Sequence, residues 1–487
     1  MTDRRVAALV FVVVLGATQA AVGMRASRTA SVTGDEPFYL LTAQSLVSDG
    51  DLDLRDEYAN RDQEMTFWDG TVPLWKQMQP APDGRLLAPH DPGLPVLVAP
   101  AYALGGLRGV QRFLALLWSA AMAVAALLAL RALRAIPTTR LSATKWGPTP
   151  LRGQKQRAVG MAGVAVAAVA VGAGAPGIVY ASQVYPEGPA ALCVALGFLV
   201  ATGKRPRPVA LAAATIALAW LGVKYVPLGL LVTGAWAWRF RADRLALAVA
   251  GGLGAVAAAV YAWWHVANFG ALTPYSTNVV WAGEGTSSIL RDHVDVGDRL
   301  YRLFGLFVDA RFGLLRWSPV AILAAVGIAK ATARYAAALA ICVLMGTFAS
   351  ITIMGWWFPG RMLIAALPAV VVLVAAGAAQ VPRVVAGALA AWSVAIGAVV
   401  AWGAHHRWIR LAVDPFDLGP PLAPRWLFPD FRELAAPEVL ATAGWVALVV
   451  GLVSVTRWRR SCLSTGTPSR TGRSSRSRPI WRLLPGR

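Results

Sequence analysis

The sequence predicts an all-α polytopic membrane protein with about 12 transmembrane helices and a large first outer loop carrying interfacial helices. Three observations lead there. Hydrophobic residues make up 57% of the 487 residues, and the mean hydropathy is +0.54, above the roughly 45–50% apolar content of soluble domains. Apolar runs of roughly fifteen to twenty residues recur along the chain, the length an α-helix needs to cross the hydrocarbon core. Lys and Arg concentrate in every second connecting segment, as expected of a chain that weaves through a bilayer. The alternating ten-residue segments of a membrane β-barrel are not evident.

Arg4 and Arg5 precede the first apolar run, 6–24, and place the N-terminus in the cytoplasm. An uncleaved first helix is expected: Thr18-Gln19-Ala20 is a poor cleavage site, and a signal peptide alone would not explain the later spans. Residues 25–112 form the first outer loop, whose polar part, 25–92, carries twelve carboxylates. Pro89-His90-Asp91-Pro92-Gly93-Leu94-Pro95 marks a turn before an apolar stretch to Gly106. That stretch is short for a span, so it is expected to lie at the outer interface. Span two covers 113–130 and enters an acid-free loop with Arg131, Arg134, Arg140, Lys145, Arg152, Lys155 and Arg157. Span three (158–179) returns outward to the turn Tyr180-Ala181-Ser182-Gln183-Val184-Tyr185-Pro186-Glu187. Span four covers 188–202, and the short spans five and six fold around Gly222-Val223-Lys224-Tyr225. Span seven (245–264) leads to an outer loop, 265–302. Span eight runs to about Ile328, span nine rises to Trp356-Trp357-Phe358-Pro359-Gly360-Arg361, span ten descends to Arg383, and span eleven rises to Trp402. A third outer loop, 403–438, precedes span twelve. Residues 1–456 thus form one membrane domain, and 457–487 a disordered basic cytoplasmic tail with nine arginines and no acid.

The formal net charge of +21 would suggest nucleic acid in a soluble protein. Here the distribution assigns it to orientation: the expected inner segments hold 27 of the 46 basic residues and only Asp3 and Asp243 among the 25 acids. No nucleic-acid partner follows; membrane lipids do. Localisation in the plasma (inner) membrane, with both termini cytoplasmic, is the expectation. The three cysteines, Cys193, Cys342 and Cys462, offer no disulfide framework.

Function is sought at Gly34-Asp35-Glu36-Pro37, where an acidic pair follows the first span by about ten residues. Carboxylates at a membrane edge are costly unless solvent, a cation or chemistry uses them. Asp35 is read as a catalytic base, against the bland alternative of a solvated carboxylate at a loop start. Glu187 either compensates a helix N-terminus or serves as a second acid binding sugar or metal. Lys224 and Arg361, each at an outer span end, either grip a lipid phosphate or snorkel to headgroups. His90 and Tyr185, in the outer turns, join the substrate-contacting candidates. Asp51-Leu52-Asp53 places two acids on one face of an extended chain, where a divalent cation or solvent would meet them. Asp309 and Arg311 read as a local pair, and His265, His293, His405 and His406 as loop histidines without partners at recognisable spacing.

A first span, a large outer loop opening on Asp35-Glu36, and many further spans resemble the GT-C superfamily of membrane glycosyltransferases, near protein O-mannosyltransferases and lipid A aminoarabinose transferases. Tyr185-Pro186-Glu187 is similar to that group's second outer acid. Leu221-Gly222-Val223-Lys224-Tyr225-Val226-Pro227 resembles its Lys-containing turn, and Pro359-Gly360-Arg361-Met362-Leu363 its Arg-bearing entry into a late span. Where the group has Lys-Pro-Pro before its second full span, this chain has His90-Asp91-Pro92-Gly93. The resemblance implies a polyprenyl-phosphate sugar donor, a glycan, lipid or protein acceptor, and an active site on the outer face. Asp35 would take the acceptor proton, Glu36 would orient the base or acceptor, and Lys224 and Arg361 would neutralise the anionic leaving group. No cofactor is required by this chemistry; a divalent cation stays open, with Asp35 and Glu187 as its ligands. The rival classes are a lipid or sugar transporter, which would carry ionisable groups at mid-membrane and internal repeats, and a non-catalytic envelope scaffold.

Overall fold

The computed structural model describes residues 2–59, 65–71, 73, 74, 76, 77, 79–135, 153–274, 297–350, 355, 357–412, 423–431 and 435–464. The tail beyond 464, residues 275–296 of the loop 265–302, residues 413–422 and 432–434 of the loop 403–438, and Trp356 lie outside them. Helix α1 (Asp3–Ala20) is capped by the Thr2 hydroxyl. The outer segment folds into α2 (Glu36–Ser48), α3 (Arg55–Ala59) and a hairpin pairing β1 (Gln79–Pro80) with β2 (Leu86–Leu87), the one strand pairing among the described residues. Helix α4 (Gly93–Arg134) breaks at Gly105 and Gly106. The apolar stretch expected at the interface is therefore a separate helical arm, and the span proper follows the break. Asp3 pairs with Arg134, which puts the start of α1 and the end of α4 at one end of the bundle.

Helix α5 (Gly153–Gly172) stops where span three was expected to continue. Pro176 lacks an N–H for the helical ladder, and Gly174 is extended before α6 (Ala175–Tyr180). Helices α7 (Glu187–Ala201), α8 (Pro208–Leu221) and α9 (Val226–Arg239) follow, with a 3-10 turn Val223–Tyr225 between the last two. Helix α10 (Arg244–Phe269) runs more than a turn past the expected end of span seven, so His265 is helical and fully buried rather than a loop residue. Span eight is not continuous. The chain passes through α11 (Arg302–Val308), α12 (Leu314–Trp317), the 3-10 segment Pro319–Ile322 and α13 (Leu323–Gly327), because Gly313, Ser318 and Pro319 interrupt the helical ladder. The expected pair Asp309–Arg311 is also replaced. Asp309 accepts the backbone N–H groups of Arg311 and Phe312, while the Arg311 guanidinium bonds Asp430 at 2.7 Å. Helices α14 (Ala333–Leu344), α15 (Leu367–Ala378), α16 (Arg383–His405) and α17 (Ala436–Ser464) complete the order.

Among the described residues five helical segments are long and apolar enough to cross a membrane: Gly93–Arg134, Arg244–Phe269, Arg361–Ala378, Arg383–His405 and Ala436–Val455. Four apolar helices are shorter: Gly160–Gly172, Glu187–Ala201, Pro208–Leu221 and Ala333–Ala349. These helices suggest a membrane-embedded protein. In the apolar windows of Arg244–Phe269 and Ala436–Val455, 6% and 0% of the residues are buried, an apolar surface that water would penalise and lipid would not. The buried centre is α15, which packs on α13, α4 and α14. Its crossing with α13 is tight at reciprocal glycines. A Cβ on Gly327 would lie 1.9 Å from the Leu373 carbonyl, and one on Gly377 the same distance from that of Leu323.

This contact permits only glycine. Gly377→Ala is expected to separate the two helices and cost about 1–3 kcal/mol, lowering Tm in detergent. Gly387→Ala, where nothing lies within 4 Å of an added Cβ, should leave Tm unchanged or slightly raised.

Candidate functional site

Four charged side chains from remote parts of the sequence meet at the N-terminal ends of α2 and α7. Asp35 is the N-cap residue of α2, yet its side chain makes no cap bond; Pro37 follows in the first turn. One carboxylate oxygen is thereby turned toward the Arg361 guanidinium, Nη2 to Oδ2 at 3.1 Å. Its partner enters the 3-10 segment Arg361–Ala366 from Gly360, whose φ of +83° suits glycine and reverses the chain in front of the arginine. Arg361 Nε donates to Glu187 Oε1 at 2.8 Å, and Lys224 Nζ donates to the same oxygen at 2.8 Å. Glu187 opens α7 directly after Pro186, where a carboxylate also meets the positive end of the helix. Lys224 stands in the 3-10 turn between α8 and α9.

The aromatic residues fix the arginine. Its guanidinium lies 4.1 Å from the Tyr185 ring centroid and 4.8 Å from that of Trp357, a cation–π clamp. Tyr185 is 1% exposed and donates its hydroxyl to the Thr33 carbonyl at 3.3 Å; Tyr180 donates to the Phe358 carbonyl at 2.5 Å. Tyr185 thus positions Arg361 from below. Two carboxylates and two cations balance one another. Access is uneven: the side chains of Arg361 and Glu187 are 6% and 2% exposed, while Asp35 and Lys224 keep 28% and 27%. Glu187 Oε2 is buried without a hydrogen-bond partner among the described residues.

Asp35 and Glu36 are adjacent but differ in environment. Burial would raise the Asp35 carboxyl, but Arg361, with His90 and Lys224 behind it, more than offsets this and holds it below the ordinary range. Glu36 is 1% exposed and faces away from the cations, accepting the backbone N–H of Val184 at 2.8 Å and of Thr33 at 3.1 Å. Burial pushes it up to about 7, against these two bonds. Glu36 therefore ties the turn before α7 to the start of α2. It positions Asp35 through the backbone and does not itself touch the tetrad.

His90 stacks on Tyr39 with ring centroids 4.6 Å apart, its Nε2 buried without a hydrogen-bond partner among the described residues. Burial holds it below its ordinary value despite Asp35 nearby, so it is neutral above that value. It lines a cleft with Thr42, Leu87, Pro95, Trp264 and Phe269. Asp35 and Glu187, the expected ligands of any divalent cation, both face the Arg361 guanidinium, which supplies the positive charge between them. Asp51 and Asp53 do not converge on a common point: Asp51 accepts from Ser45 and the Asp53 N–H, while Asp53 pairs with Arg55 at 2.6 Å. In the outer loop 265–302, Tyr301 stacks on Phe431 and Asp298 lies in the 3-10 turn Gly297–Arg299; Tyr275, Trp281, Glu284, Asp292 and Asp295 lie outside the described residues.

One cluster was missed from sequence. Asp91 Oδ1 bonds Tyr261 Oη at 2.8 Å and His265 Nε2 at 2.9 Å, inside a cage of Trp220, Trp264 and Phe269. The signal available was Tyr261 and His265 at i, i+4 on one helix face; their acid partner lies far back in the chain. This knot joins the turn just before α4 to the end of α10. No protein-family model, curated protein or solved structure matches the chain.

Glu36 gives a stability test with a defined sign. Its folded value, about 7, lies above the ordinary 4.5. The folded chain therefore keeps a proton that the unfolded chain has released, and this group's contribution falls as pH rises from 4.5 through 7. Glu36→Gln can accept only one of the two N–H groups. Tm should drop, by the equivalent of about 1–3 kcal/mol, and its decline across that pH window should become shallower than in wild type.

Proposed function

We propose that the chain is an integral membrane glycosyltransferase that moves a sugar from a polyprenyl-phosphate donor to an acceptor hydroxyl on the outer side of the plasma membrane. The observation that carries this reading is the meeting of Asp35, Glu187, Lys224 and Arg361, drawn from positions up to 326 residues apart. Such a set supplies the two things the reaction needs. Asp35 is ionised at neutral pH and partly exposed, and its second oxygen has no hydrogen bond to a described residue. It accepts the proton of the acceptor hydroxyl as that oxygen attacks the anomeric carbon. The bond from carbon to phosphate oxygen breaks on the opposite face, with inversion, and the lipid phosphate leaves with the bonding pair. Lys224 and the unspent Nη1 donors of Arg361 meet the phosphate charge. His90 and the cleft beside it are assigned to substrate contact. The acceptor is a glycan, lipid or protein bearing the hydroxyl.

A transporter reading has less support, since the tetrad lies at helix ends. The test is sugar release from a lipid-phosphate donor by the purified chain. Asp35→Asn should lower kcat about 10²–10⁴-fold with little change in donor KM, whereas Lys224→Ala should raise donor KM. Equal turnover by wild type and Asp35→Asn would remove Asp35 from the mechanism, and absence of turnover with any donor would favour a scaffold.

A further inference from the structure

Three carboxylates meet at the opposite end of α2 from Asp35, outside the tetrad. Asp49 is the C-cap residue of α2, and Asp56 and Glu57 belong to α3; one oxygen from each lies within 4.8 Å of the other two. Asp49 and Asp56 are exposed, while Glu57 is 0% exposed. Among the described residues neither oxygen of Glu57 makes a hydrogen bond of ordinary geometry. Arg55 is paired with Asp53 at 2.6 Å, and the Ser45 hydroxyl, which also lies beside Glu57, bonds Asp51 at 3.0 Å. Three carboxylates gathered this closely, one of them buried, are costly unless a cation or a proton enters between them.

We propose that Asp49, Asp56 and Glu57 bind one divalent cation, Ca²⁺, which ties the C-terminus of α2 to α3. The donor set is oxygen only, the choice of a hard cation. Separations up to 4.8 Å suit oxygens arranged around Ca²⁺ at about 2.3–2.6 Å, whereas Mg²⁺, at about 2.0–2.1 Å, requires a tighter cluster. The exposed pair provides the entry path and the buried Glu57 the anchor. A cation here also meets the negative end of α2. Filling the site would brace the helix whose other end carries Asp35, without touching the tetrad.

The test reads cation binding and so stands apart from the transferase reading. Calcium chloride titrated into the EDTA-stripped full chain in detergent should show one site with Kd of about 10⁻³ M or tighter and a calcium-dependent rise in Tm; magnesium chloride should give less. Asp56→Asn, at an exposed position, should weaken uptake at least tenfold, as should Glu57→Gln. Asp83→Asn, in the exposed pair with Arg85, should not. Wild type without calcium uptake or Tm shift overturns the proposal. So does uptake undiminished in both Asp56→Asn and Glu57→Gln.

Discussion

The burial of one guanidinium organises the fold. Arg361 is 7% exposed, and a cation in that position is tolerable only if carboxylates and aromatic faces replace its water. Glu187 and Asp35 supply the first, Tyr185 and Trp357 the second. Each requirement fixes an element: the start of the segment leading into α15, the N-terminus of α7, the N-terminus of α2 and the turn between them. Lys224 then completes the charge balance from the α8–α9 turn. Removing either carboxylate would leave positive charge in excess, so these chain segments are coupled through electrostatics as well as packing.

The Asp35–Glu36 pair shows how that frame separates two chemically similar groups one residue apart. The helical start directs their side chains differently, one to the guanidinium and one to the Thr33 and Val184 amides. Environments that push neighbouring acids in opposite directions are a common feature of sites that need one ionised group. In this fold the separation has a structural origin: the buried Glu36 holds the turn that carries Tyr185, and Tyr185 in turn supports Arg361. The orientation of Asp35 thus depends on its sequence neighbour through backbone bonds rather than through a shared proton.

How much of this is legible in the sequence follows from the range of the interactions. Apolar runs are local, so α1, α4, α10, α15, α16 and α17 appear as hydrophobicity. The turn at Gly222–Tyr225 and the entry at Gly360–Arg361 carry glycine signals that can be read directly. Charge cost singled out Asp35, Glu187, Lys224 and Arg361 one at a time, but no local pattern could say that they touch. The interruptions of span eight were written in Gly313, Ser318 and Pro319 and were outweighed by the apolar residues around them. The partners of Arg311 and His265 were beyond reach: Asp430 and Asp91 lie 119 and 174 residues away, and nothing in the spacing of those acids marks them as buried.

The charge balance also constrains what the site can bind. With Asp35 and Glu187 ionised against Lys224 and Arg361, the tetrad is neutral, so an entering phosphate cannot be held by excess positive charge. It must compete with carboxylates for donors already present. Arg361 is poorly placed to yield: its side chain is 6% exposed and its guanidinium is held between the Tyr185 and Trp357 rings. Lys224 is different: it is 27% exposed, has a flexible stem and three donors, and shares its acceptor oxygen with Arg361. In the proposed reaction a phosphate would draw Lys224 outward while Glu187 keeps its bond to Arg361, and the pair with Asp35 would need only to lengthen for that carboxylate to meet a hydroxyl proton. On this argument Lys224 is the mobile cation of the set and Arg361 the fixed one.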